Sequence, residues 1–139
     1  MIAFWMFLKR AAAMLLAVVI GSMVMLALHS LSGMIWPDVA MDRMPQDPDA
    51  LAAFLEGMPI ASKWAVIVSH WLGTLAGAVV ALMGTGRRSI WPGLAIGGWF
   101  MIGGVANNWM LPAPMWMEAV DLLGYVPLTY FASRFLVKN

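Results

Sequence analysis

Four apolar runs, each long enough to cross a bilayer as a helix, leave few soluble folds open to this chain. The first, Ala11 to Ile35, holds no acidic residue, lysine or arginine, and His29 is its one titratable side chain. The second, Ile60 to Met83, carries Lys63 near its start, where a long aliphatic stem can snorkel to the interface. The third, Ser89 to Met110, is uncharged. The fourth, Pro114 to Leu136, opens on a proline, tolerated in a first helical turn, and contains Glu118, Asp121 and Pro127, where a kink is expected. About 20 helical residues rising 1.5 Å each cover roughly 30 Å of hydrocarbon. The two-residue alternation of a membrane β-barrel is missing. The expected fold is therefore all-α: a single domain over residues 1–139, built as a bundle of four transmembrane helices (about 11–35, 60–83, 89–110 and 114–136).

Composition agrees, with 63% hydrophobic and 11% charged residues, a balance that needs lipid to cover the surface. MIAFWMFLKR followed by an apolar run has the outline of a secretory signal. The run is too long for a signal core and no small-residue cleavage site follows a short one, so a retained first span is expected.

The connections predict orientation. Lys9, Arg10, Arg87, Arg88, Arg134 and Lys138 fall on one side, six of the eight basic residues, and that side is expected to be cytoplasmic together with both termini. The loop 36–59, on the other side, has five acids and one arginine. Trp5 and Trp91 fall near the inner interface and Trp36, Trp64, Trp109 and Trp116 near the outer one, while Trp71 and Trp99 lie deeper. Within the outer loop, Asp47 can cap, Pro48 start and Gly57 stop a short amphipathic helix, which reads either as a lid or as a plain surface connector.

Small residues mark where helices can approach in lipid. Gly73, Gly77 and Ala81 share a face of the second span, with Ser69 and His70 a turn earlier, and Gly93, Gly97, Gly104 and Asn108 share one on the third; both contain GxxxG. Ser22, His29 and Gly33 align on the first, and Glu118, Asp121, Tyr125, Thr129 and Ala132 on the fourth. Depth counting puts His29, His70, Glu118, Asp121 and Asn108 all in the outer half, which predicts a polar pocket open to that side.

Two readings of these groups stand. They can form a proton-accepting, cation-binding or metal site, with Asn107 or Asn108 orienting a ligand, since imidazole and carboxylate exchange protons and can hold a divalent metal. They can equally be interhelical hydrogen bonds worth about 1 kcal/mol each or less. The fourteen methionines read as gap fillers. With no cysteine, thiolate metal sites, disulfides and iron–sulfur clusters are excluded, and no basic run offers a track for nucleic acid. No motif calls for a cofactor.

The successions SHWLGTLAG, GGVANNWMLPAPMW and DLLGYVP, together with the loop sequence PDALAAFLEGMP, make the chain resemble a family of small uncharacterised bacterial four-helix inner-membrane proteins, over about Gly21 to Leu136. The resemblance implies a bacterial inner-membrane location and the same topology, and brings no activity with it. The chain departs from the pattern at two places: relatives carry an acidic residue near the His29 position and a histidine where this chain has Ala113.

The expected function is binding or transport of a small solute or ion through the outer pocket. The alternative is a structural or accessory subunit without chemistry of its own, packed against a membrane partner or a second copy. An intramembrane enzyme is the least favoured reading, because HExxH, GxSxG and P-loop motifs are all missing.

Overall fold

The computed structural model describes residues 1–137. Lys138, counted above among the basic residues of one side, lies outside them. Among the described residues there are five α-helices and no strand: α1 (Ile2–Ile35), α2 (Pro48–Gly57), α3 (Ile60–Thr85), α4 (Trp91–Met110) and α5 (Met115–Leu136). Two single 3₁₀ turns, Pro37–Val39 and Met41–Arg43, join α1 to α2.

Local chemistry sets most boundaries. Asp47 accepts the Ala50 amide at 2.9 Å and Pro48 takes the first turn of α2, as the sequence predicts. At the end of α3, Gly86 adopts a left-handed φ of 92° and the Arg87 amide reaches back to the Leu82 carbonyl. Between α4 and α5 the pair Pro112 and Pro114 removes two amide donors, and Leu111, before the first proline, is extended.

One boundary differs from expectation. α1 begins at Ile2, nine residues earlier than the apolar run, with Lys9 and Arg10 inside it. Both are good helix formers and residues 1–10 are all exposed, so the charge ends the apolar stretch without ending the helix.

α3 is the central helix, packed against α1, α4 and α5. Its antiparallel contact with α1 is made by small residues: Ala13 meets Gly84, Ala17 meets Gly77 and Gly21 meets Gly73. A Cβ on Gly77 would stand 2.9 Å from the Ala17 carbonyl oxygen, closer than real side chains allow. α4 meets α5 through Gly93 on Ser133, Gly97 on Thr129 and Gly104 on Tyr125. The five glycines expected at helix contacts, Gly73, Gly77, Gly93, Gly97 and Gly104, are all buried there. On α1, Ser22, His29 and Gly33 line a cavity and leave the close approach to Ala13, Ala17 and Gly21. On α5 the buried stripe is Asp121, Tyr125, Thr129 and Ser133, so strict four-residue spacing selects Ser133 where Ala132 was expected.

These contacts bring Lys9, Arg10, Arg87, Arg88 and Arg134 to one end of the molecule, and α2 and the 3₁₀ turns to the other. Small polar residues share the interior with apolar ones, and large apolar residues cover much of the outside. Ser62, Ser69, Thr74, Thr129 and Ser133 are buried, while Leu15, Leu26, Ile102, Leu123 and Phe135 are exposed. The Thr74 and Thr129 hydroxyls are satisfied by the carbonyls of His70 and Tyr125 one turn back.

α1 and α3 are long and apolar enough to cross a membrane. α4 and α5 have comparable lengths, 20 and 22 residues, but Asn107, Asn108 and several glycines in the one, and Glu118, Asp121 and Arg134 in the other, lower their hydropathy.

Candidate functional site

A cavity of about 330 Å³ opens among α1, α3, α5 and the end of α4, beneath Leu55 of α2 and the loop that precedes it. That volume is at the lower end of the range for small-molecule sites. The five residues expected to form a polar site, His29, His70, Asn108, Glu118 and Asp121, all line it. Asn107 does so as well.

The centre is a His–carboxylate pair. Nδ1 of His70 stands 3.0 Å from each oxygen of Asp121, and the Tyr125 hydroxyl donates to Oδ2 of the same carboxylate at 3.1 Å. Asp121 is only 5% exposed, so these donors replace the water a carboxylate would otherwise need. The indole N–H of Trp71 donates to the Asp121 backbone carbonyl at 3.0 Å, which pins α3 to α5 one residue from His70. Among the described residues no lysine or arginine pairs with this carboxylate. Among the described residues its one potentially cationic partner is His70, in protonated form.

His29 joins through a tilted ring contact with His70 and not by a direct hydrogen bond to it. Its ring centroid lies 5.1 Å from that of His70 with the planes tilted by 36°, and Tyr125 stacks on His70 from 6.4 Å. Nδ1 of His29 is 2.9 Å from the Met25 carbonyl and 3.0 Å from Ser69 Oγ. Ser69 gives its own proton to the Val66 carbonyl, so its oxygen can accept from the imidazole.

The other candidates sit at the edge of this network. Glu118 is half-buried in the cavity wall, one helical turn before Asp121. Asn108 leaves its amide nitrogen enclosed without a partner, a donor turned to no protein acceptor. Among the described residues no group of three or more His, Asp or Glu side chains is arranged to hold a metal ion.

Two features of the site escape sequence reasoning. Trp71 and Ser69 adjoin His70 in the chain, but their hydrogen bonds depend on how α3 meets α5 and α1. Tyr125 stands on the polar face that the sequence places it on, four residues after Asp121, and its hydroxyl reaches that carboxylate. Lys63 also behaves differently from expectation. It is 7% exposed and donates to the Glu56 carbonyl at 2.7 Å, neutralising the C-terminal end of α2. This bond ties the cavity roof to α3.

The pair can exchange a proton between imidazole and carboxylate, or offer a partly dry negative charge to a cation. The walls around it are mostly apolar. No protein-family model, curated protein or solved structure matches the chain.

Proposed function

We propose that this is a multi-pass membrane protein of the bacterial inner membrane, with α1, α3, α4 and α5 as its four spans, that binds or moves a small solute or ion through the roofed cavity. The observation that carries the reading is the Asp121 carboxylate, buried and held by His70 and Tyr125 at the wall of a cavity. An ionisable group set among apolar spans is costly unless it serves a site, and this one faces a space that a ligand can enter.

Membrane residence is supported by the exposed leucines, isoleucines and phenylalanines of the helix faces, because extended uncovered apolar surface marks a membrane or partner contact. The basic end supports a cytoplasmic side there, with both termini, and an outward-facing cavity. Trp64 and Trp116, 6.0 Å apart at the cavity end, suit an interfacial belt.

The test is proton uptake and cation binding by detergent-purified protein, wild type beside Asp121→Asn and His70→Ala. A working site loses both signals in both variants while helical content is retained. Equal signals in all three proteins would leave the pair as structural glue.

A second reading, an accessory subunit or homodimer, draws on the first turns of α1, where Phe4, Trp5 and Phe7 are uncovered. Co-purification of a stoichiometric partner, with activity of the complex unchanged by Asp121→Asn, would favour it.

A further inference from the structure

We infer that the cavity is a site for a soft monovalent cation, Cu(I), held by Nε2 of His29 and of His70 with methionine thioethers completing the shell. The inference rests on the reading of the cavity as an ion-binding site and names the ion class.

It starts from the hydrogen bonds of the two rings. A backbone carbonyl only accepts, so Nδ1 of His29, 2.9 Å from the Met25 carbonyl, must carry its proton. A carboxylate likewise accepts from Nδ1 of His70. Each neutral ring is thereby fixed in one tautomer, with its lone pair on Nε2. Among the described residues neither Nε2 has a hydrogen-bond partner, and neither is among the enclosed atoms, although both rings line the cavity. Metal-binding histidines are held in this way, one nitrogen donating to a carbonyl or carboxylate and the other free for the ion. The chain has two histidines, and both are so disposed, with their ring centroids 5.1 Å apart.

The remaining donors choose the metal. The oxygens of Asp121 are engaged by His70 and Tyr125, Glu118 is the other carboxylate of the wall, and there is no cysteine. The wall does supply thioethers: Met25, one turn before His29 on the same face, with Met58 and Met117 across the cavity. Imidazole with thioether is a soft, neutral set that suits Cu(I) over hard or borderline divalent ions.

The experiment uses the full chain in detergent under anaerobic reducing conditions, titrated with Cu(I) against a chromogenic Cu(I) chelator, and with Ag(I) and Zn(II) in parallel. One Cu(I) or Ag(I) per chain is expected, with Zn(II) bound more weakly. His29→Asn and His70→Asn, whose amide N–H can take the place of Nδ1 while nothing replaces Nε2, should each weaken Cu(I) binding at least tenfold, and Asp121→Asn by about 10–100-fold through loss of ring orientation. Met25→Leu combined with Met58→Leu and Met117→Leu conserves volume, so it should weaken Cu(I) with the helical spectrum and thermal midpoint unchanged. Failure to retain Cu(I) against the chelator, tighter binding of Zn(II) than of Ag(I), or wild-type Cu(I) affinity in both histidine variants would overturn the inference. If Cu(I) fails while proton uptake is still lost in Asp121→Asn, the soft-metal assignment falls and the ion-binding cavity stands; if both fail, both fall.

Discussion

Asp121 collects three hydrogen bonds from two helices: His70 and Tyr125 on its carboxylate and Trp71 on its carbonyl. Substitutions here should rank by how many donors each leaves without an acceptor. Asp121→Leu orphans the His70 N–H and the Tyr125 O–H, each worth about 1–3 kcal/mol when enclosed. Asp121→Asn keeps one acceptor oxygen and should cost less. Tyr125→Phe removes a donor and its bond together, and should cost about 1 kcal/mol or less, as interhelical hydrogen bonds in membrane proteins do. Reversible unfolding in mixed detergent micelles, followed by circular dichroism, checks the order. Tyr125→Phe proving the most damaging of the three would refute this account of the carboxylate as acceptor.

The helices themselves were legible because uncharged apolar runs bounded by proline, glycine or arginine admit little else. Ends of α3, α4 and α5 fall within two residues of those read from the sequence. The start of α1 was not, since a basic pair closes an apolar run without disturbing backbone hydrogen bonds. Contact faces were half legible. Glycine advertises a close approach, and the marked ones made it, but the partner face Ala13, Ala17 and Gly21 hides among common alanines. A contrast between glycines tests this at the scale of the element. Gly73→Ala forces a Cβ to within 2.6 Å of the Gly21 carbonyl oxygen, so α1 and α3 must separate, at about 1–3 kcal/mol. Gly98 and Gly103 have nothing within 4 Å, so alanine there should be neutral or stabilise by up to about 1 kcal/mol through helix propensity. Opposite signs in the same unfolding assay are expected. For α2, Asp47→Ala removes the cap and should cost about 1 kcal/mol locally. Hydrogen exchange should quicken over residues 48–57 with the long helices unaffected; uniform protection would mean that Leu55 and the Lys63 contact hold the roof without the cap.

On the scale of the whole molecule, the pocket shows where sequence reading stops. Spacing put one polar group on each packing face, and depth put them in the same half, yet the ring contact between His29 and His70 comes from the register of α1 against α3, which no single helix encodes. Topology can be tested without reference to the ligand, because a chain without cysteine gives a clean labelling background. Asp42 and Arg88 are both exposed, one on the cavity-end loop and the other in the turn that follows α3. In intact bacterial cells, a membrane-impermeant maleimide should label Asp42→Cys directly and Arg88→Cys only after the inner membrane is opened. That pattern follows from the basic cluster holding its end on the cytoplasmic side. Labelling of Arg88→Cys in intact cells would invert the molecule, turn the cavity toward the cytoplasm, and require that any ion reaching His29, His70 and Asp121 come from inside the cell.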